Sequence, residues 1–395
     1  MKERFSSMVW FLLVFCLFSP SCFLARQSSW QRTFGGPGID YARDVVVDED
    51  GSFLIVGGTS SYGAGKFDVL LLKVNQNGEV IFYATFGGRE DDWAVSIAKT
   101  SDGFIIAGST RSFGAGGSDI YVVKVDKKGS RIWEKTFGGT GDEFAYAVVA
   151  VENGFIVAGS TKSIPGKDRQ AYLIRLDSQG NVLWQKDYGG EKEESFFSIT
   201  PTSDGFLAVG QSGTPGHIDS SGEWVAEYDA YVVKMDRNGQ ILREEFPGGP
   251  YEDGLYRVVR TKDGGYIAVG WSESANVIRG YYVVKFSKDA SVLWKKVIET
   301  PMPHTGRAIV ETSSGYFIVG SGIPLDSPVD DVFLVKIDSK GELVEVKRYG
   351  GDRLDTAFSA QAVRDGFVIV GDTASFGTGT DVYILKTDMN GDVSQ

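Results

Sequence analysis

The chain repeats itself, and that constrains its fold more than any other feature. Thr33-Phe34-Gly35-Gly36 returns as Thr85-Phe86-Gly87-Gly88 and as Thr136-Phe137-Gly138-Gly139. The double glycine comes back as Tyr188-Gly189-Gly190, Pro247-Gly248-Gly249 and Tyr349-Gly350-Gly351. The copies lie about 51 residues apart, about 59 across one insertion, and about twice 51 where one copy has lost the pattern. A fixed period of this length implies stacked supersecondary units, each of which buries its apolar face only against its neighbours.

One unit is plainest between Asp92 and Phe137. Apolar runs at 94–99, 104–107, 120–125 and 132–137 are separated by Ser101-Asp102-Gly103, by a Gly-rich stretch over 109–118, and by the turn Asp126-Lys127-Lys128-Gly129. No window sustains a helical period, and glycine supplies the positive φ that tight hairpin turns require. Four short strands per unit describe a propeller blade. Seven units can be counted, with second strands starting at Phe53, Phe104, Phe155, Phe206, Tyr266, Tyr316 and Phe367. Third strands end near Lys73, Lys124, Arg175, Lys234, Lys285, Lys336 and Lys386. The last unit lacks a fourth strand, while Trp30-Gln31-Arg32-Thr33-Phe34 is a fourth strand with no unit of its own. The expected fold is therefore all-β: a seven-bladed β-propeller of four-stranded blades over residues 30–395. The strand 30–34 completes the last blade and removes two exposed edges. The 51 glycines, about twice ordinary usage, become turn and strand-end punctuation rather than a mark of flexibility.

The pattern Gly-Gly-x3-acidic-x-Ala, then Asp-Gly-aromatic, then Gly-Ser-Thr, resembles the SBBP-type bacterial β-propeller repeats over residues 30–391. More distantly, Asp126 to Trp133 resembles the tryptophan-docking turn of quinoprotein propellers, one residue short before the glycine. Trp184, Trp294 and Trp30 occupy the equivalent place. The double glycine is similar to that of kelch repeats but follows the fourth strand instead of ending the second. These resemblances imply a fold, and propellers host many unrelated activities.

Lys2, Glu3 and Arg4 precede an apolar run from Met8 to Phe18, followed by Ser19, Pro20 and Ser21. This is the pattern of a secretory signal over residues 1–21, too short for a comfortable membrane span. Residues 22–29 read as a linker. Cleavage before Cys22 leaves two readings open: a lipidated N-terminus, although Ser19 stands where a lipobox wants an aliphatic residue, or a plain secreted protein. The expected location is secreted or anchored on the extracytoplasmic side of the membrane. The two cysteines, Cys16 and Cys22, both precede the repeats, so no disulfide framework or Cys-type zinc site is expected. Two histidines, His217 and His304, leave little for His-ligated metals or Ser-His-Asp chemistry. A net charge of −12 argues against nucleic acid and anionic lipid as partners. No metal and no cofactor are expected. The acidic turns lack the remote bidentate Glu of a calcium loop, and the Gly-rich runs precede no helix that would cradle phosphate.

An acid recurs just ahead of the first strand in six units, as Asp40, Asp92, Glu143, Glu194, Asp253 and Asp355, with Gly306 in the sixth unit. A ring of carboxylates could bind cations at the channel mouth. The plainer reading is that each acid caps a loop or pairs with a third-strand lysine. Asp68, Asp119, Asp229, Asp331 and Asp381 start third strands and are expected to accept bonds from their own loops. The recurring tryptophans are read as wedges between blades.

Function is expected where the pattern fails. The fourth unit runs 19 residues from Gly210 to Asp229 where the second runs 11 from Gly108 to Asp119, over a loop holding His217, Glu223 and Trp224. The fifth replaces the Gly-rich loop with Trp271 to Arg279, and the sixth offers Thr300 to His304 in place of its Gly-Gly. The candidate ligand site is thus His217, Glu223, Trp224, Trp271, Arg279 and His304, on the loop face of blades 4–6. The favoured function is a non-catalytic binding or scaffold module, monomeric, whose partner is a protein or glycan at the cell envelope. A polysaccharide-active or quinone-type propeller enzyme is the alternative.

Overall fold

The computed structural model describes residues 29–218, 224–249, 252–274, 277–300, 304–324 and 326–394, and side chains at 214–227 and 274–278 are not described. The expected signal and linker over 1–28, and Glu223, lie outside the described residues. Seven four-stranded antiparallel sheets form the blades of a propeller. In blade 1 the strands run Asp40–Val47, Phe53–Thr59, Asp68–Val74 and Val80–Phe86 from centre to rim. The ring closes as the repeat count requires. Trp30–Phe34 pairs antiparallel with Asp381–Thr387, from Trp30 opposite Lys386 to Phe34 opposite Val382.

The core lies between the blades. The buried side chains fall into seven clusters, one at each blade interface. Second and third strands are buried on both faces, as Phe53–Thr59 and Asp68–Val74 show, because each blade is sandwiched between two others. The aromatic wedges follow one rule: an aromatic on a fourth strand packs against the glycine of the next blade's second hairpin turn. Gly180 has φ +76°, and a Cβ there would sit 2.9 Å from the Trp133 ring; Trp30, Trp184 and Trp294 dock on the corresponding turns. The rule lapses twice: blade 6 has Glu345 at the aromatic position, where Gly391 of blade 7 meets Leu334 and Tyr349 instead, and blade 4 departs with a compensating change. Blade 4 has Arg243 at the aromatic position, and the facing turn of blade 5 has Ala290 (φ +63°) where the others have glycine. Arg243 instead donates to Ser291 Oγ at 2.7 Å.

Two expectations are corrected by the register. The described residues of the fourth unit's insertion are strand and not loop. They continue the second and third strands as a long hairpin, Gly205–Ile218 against Trp224–Asp236, with His217 opposite Val225 and Ile218 opposite Trp224. In the sixth blade His304, not Gly306, occupies the acid's place. His304 pairs with Gly322 as Asp40 pairs with Thr59, and Gly306 stands where Ala42 does.

A β-bulge recurs in the innermost strand of every blade. The register shifts between Ala42 and Asp44, Ala94 and Ser96, Ala145 and Ala147, Phe196 and Ser198, Leu255 and Arg257, Gly306 and Ala308, and Ala357 and Ser359. A bulge leaves one residue unpaired and re-aims its side chain. It also brings the first strand close to the second. A Cβ on Gly57 would lie 1.8 Å from the Tyr41 carbonyl oxygen, and the six counterparts meet the equivalent oxygen at 1.8–2.0 Å. The glycines that end the second strands are therefore demanded by close approach, not by φ.

Candidate binding site at the mouth of the central channel

The seven residues skipped by the bulges are Arg43, Val95, Tyr146, Phe197, Tyr256, Arg307 and Phe358. All seven line one cavity of about 380 Å³, together with Tyr41, Trp93 and Arg257. The cavity lies toward the beginnings of the innermost strands. It therefore opens on the face that carries the fourth-to-first and second-to-third connections.

Its wall is an aromatic arc with arginines set into it. Ring centroids lie 6.4 Å apart for Trp93 and Phe144, 6.5 Å for Phe144 and Tyr146, and 5.1 Å for both Tyr146–Phe197 and Phe197–Tyr256. The Arg307 guanidinium continues the arc at 4.2 Å from the Tyr256 ring and 5.4 Å from Phe358. Arg43 closes it at 3.8 Å from Phe358 and 4.2 Å from Tyr41. Cations over desolvated rings are held by the ring quadrupole. Burial pushes the Tyr41 hydroxyl up to about 12, so it stays a neutral hydrogen-bonding group.

The three arginines of the wall differ in their partners. Arg43 bonds Asp372 at 2.9 Å, and burial raises Asp372 although Arg43 opposes the shift. Arg257 reaches Asp44 at 3.2 Å. Arg307 has no carboxylate within ion-pair distance among the described residues, and burial lowers its pKa, with a smaller contribution from Arg43 and Arg279 nearby.

Asp44 forms the floor. It follows the bulge in blade 1 and is buried. It accepts from Ser359 Oγ at 2.7 Å and the Val45 amide at 3.0 Å. It also accepts from the Ile97 amide at 3.1 Å and Ser96 Oγ at 3.2 Å. Its bond to Arg257 of blade 5 spans the bore, so the channel is divided into the upper cavity and a lower one of about 340 Å³.

The residues singled out in the sequence are partly brought together. Trp271 is 4% exposed, with the Arg279 guanidinium 4.2 Å above its ring and Glu273 bonded to Arg279 at 3.3 Å. Arg279 lies close enough to Arg307 to affect its charge, which sets the Trp271–Arg279 pair beside the cavity. His304 is 2% exposed, stacked on Tyr281 at 5.2 Å and edge-on to Phe333 at 4.4 Å. It packs inside the wall between blades 5 and 6 and is not on the surface. Burial lowers its pKa to about 4. His217 and Trp224 hold strand positions in the long hairpin of blade 4, and their side chains are outside the described ones.

The recurring acids cap loops. Asp40, Asp92, Glu143 and Asp355 accept from the second amide of the preceding Gly-Gly at 2.6–2.8 Å. The threonine that ends the facing second strand donates to Asp40, Glu143 and Asp355. Glu194 and Asp253 take bonds from Gly190 and Ser212 and from Gly249 and Ser272. None of the six pairs with a third-strand lysine. Those lysines reach the opposite face instead, where Lys73, Lys124, Lys234, Lys285 and Lys386 pair with Asp48, Asp102, Asp204, Asp263 and Asp365 in the first hairpin turns. Among the described residues no group of three or more His, Cys, Asp or Glu side chains is placed to hold a metal ion.

The cavity residues are hard to see in the sequence because the bulge position holds no constant residue type from blade to blade. Their shared signal is the offset: three residues after each acid stands an aromatic or an arginine in six of seven blades, counting His304 as the acid's substitute.

No known family's sequence profile matches the chain. An alignment of 185 positions, covering 41% of this chain, is 25% identical to the regulatory protein FlaEY of Caulobacter vibrioides, and it spans 19% of that protein's length. The fold is similar to the WD40 β-propeller domain of Doa1, with a TM-score of 0.54 and 14% identity over 93% of this chain and 99% of that one. The β-propeller domain of the Trilobed protease from Pyrococcus furiosus superimposes with a TM-score of 0.47 at 12% identity, over 89% of this chain and 94% of that one. At 14% identity the Doa1 domain shows the fold alone.

Proposed function

We propose that this chain is a non-catalytic binding module. Its rigid ring presents one face, with the channel mouth at its centre and the irregular connections of blades 4–6 beside it, to a protein or glycan partner. The observation that carries this reading is that all seven bulge residues line one cavity on the same face as the non-repeating hairpins. The blades do not need aromatics and arginines at those positions to pack, and a concave, mostly apolar site with a few placed polar groups is what a ligand pocket requires. The resemblance of one stretch to a protein named for a regulatory role agrees with protein recognition. The leader over 1–21 supports a position outside the cytoplasm, and the repeat pattern supports kinship with SBBP-type propellers.

The test is retention of partners by residues 30–395 in a glycan array and a crosslinking pull-down. Two variants are compared: Tyr146→Ala/Phe197→Ala/Tyr256→Ala, and a hairpin in which residues 214–227 become Asn-Gly. The reading predicts that a specific partner is lost from at least one folded variant. Equal retention by both would move the site off this face.

A further inference from the structure

We infer that the channel-mouth cavity takes a monocarboxylate carried on an apolar or aromatic body, and that Arg307 reads its charge. The inference rests on the binding-module reading above and specifies the ligand of the same face.

The charge count singles out one group. Of the three guanidinium groups in the wall, Arg43 is neutralised by Asp372 and Arg257 by Asp44. Arg307 is half-buried between Tyr256 and Phe358 and faces the cavity without a carboxylate among the described residues. A partly desolvated cation without a counterion is costly, and one anion bonded to its planar fork offsets that cost. A single negative charge balances the site, whereas a phosphate monoester would bring a second charge with no partner. The other walls are lined by the rings of Tyr41, Trp93, Tyr146, Phe197 and Phe358, which suit an apolar or flat body. The Asp44–Arg257 pair crosses the bore below the cavity, which favours the end of a molecule over a chain passing through. Two sources share this chemistry: a free small acid, and the C-terminal carboxylate of a partner chain ending in an apolar residue.

Isothermal titration of residues 30–395 tests the inference with paired probes. 3-Phenylpropionate is compared with 3-phenylpropanol, and acetyl-Gly-Phe acid with its C-terminal amide; phenyl phosphate is the dianion control. Each acid is expected to bind about ten- to a hundred-fold more tightly than its neutral partner. Arg307→Gln should erase that preference, and Arg307→Lys should restore part of it. Preference for the free acid alone assigns the small-molecule source, and preference for the peptide acid assigns the chain terminus. The inference is overturned if neutral and acid forms bind alike, if phenyl phosphate binds more tightly than the carboxylates, or if neither acid binds. If the acids fail while the partner of the loop face is still retained, only the carboxylate assignment falls. If both fail, the binding-module reading falls with it.

Discussion

Removing Asp44 should damage the ring out of proportion to one carboxylate. The side chain is 1% exposed, and it joins blade 1 to blades 2, 5 and 7 through Ser96 and the Ile97 amide, Arg257 and Ser359. In Asp44→Ala the two hydroxyls can rotate toward other acceptors, but the Val45 and Ile97 amides lose theirs. A buried donor left unsatisfied costs about 1–3 kcal/mol. Breaking a fully buried ion pair costs about 3–5 kcal/mol. The Arg257 side chain is 26% exposed and can turn to water, so the whole effect should be about 3 kcal/mol. Arg257→Met leaves Asp44 with four neutral donors and should cost about 1–2 kcal/mol. In the double variant no buried charge is stranded, so the two costs should fall short of additivity by about 1–2 kcal/mol. Urea unfolding followed by tryptophan fluorescence and far-UV circular dichroism reads all three, with Asp44→Asn as the milder companion. Strict additivity, or a cost below about 1 kcal/mol for Asp44→Ala, would refute a pin across the bore.

Three further outcomes follow from the geometry. Trp30→Ala removes a 2%-exposed indole that bonds the Gln76 carbonyl at 2.9 Å and packs on Phe53, and should lower stability by about 3–5 kcal/mol in a thermal melt; a change under 1 kcal/mol would mean that the strand 30–34 does not hold the ring closed. Gly57→Ala forces a methyl against the Tyr41 carbonyl and should prevent soluble folding or depress the melting midpoint sharply, whereas wild-type stability would disprove the close approach. His304 is neutral in both states above pH 6.5; below it the unfolded chain gains a proton that the folded chain accepts only near pH 4. Stability should therefore fall between pH 6.5 and 4, by at most about 3 kcal/mol from this residue, and His304→Leu should show a shallower slope over that window.

The sequence made the ring legible because the ring is repetitive. Gly-Gly pairs, hairpin glycines and the orphan strand at Trp30 are each dictated by blade geometry, and each recurs often enough to be recognised without coordinates. The docking of Trp133 on Gly180 could be suspected from the resemblance to quinoprotein turns, yet its compensated lapse at Arg243 and Ala290 needs the register to be seen. The cavity escaped for the converse reason. Arg43, Val95, Tyr146 and Phe197 share a position but no residue type, and a bulge cannot be placed from an alternating pattern alone. His304 was misplaced by two residues since the sixth blade lacks the Gly-Gly that fixes the frame elsewhere. Burial then reversed its role, because an imidazole in place of a loop-capping carboxylate packs between aromatic rings. The long hairpin of blade 4 read as a loop because its extra residues include Gly213, Pro215 and Gly216, which look like loop punctuation although the strands continue past them.

The central claim is that the seven bulge residues build one binding cavity whose charge is read by Arg307. A crystal structure of residues 30–395 grown with 3-phenylpropionate tests it most directly. The account predicts the phenyl ring among Tyr146, Phe197 and Phe358 and the carboxylate on the Arg307 guanidinium, above an intact Asp44–Arg257 bridge. An empty channel mouth with the acid bound elsewhere, or Arg307 turned out of the cavity, would contradict it.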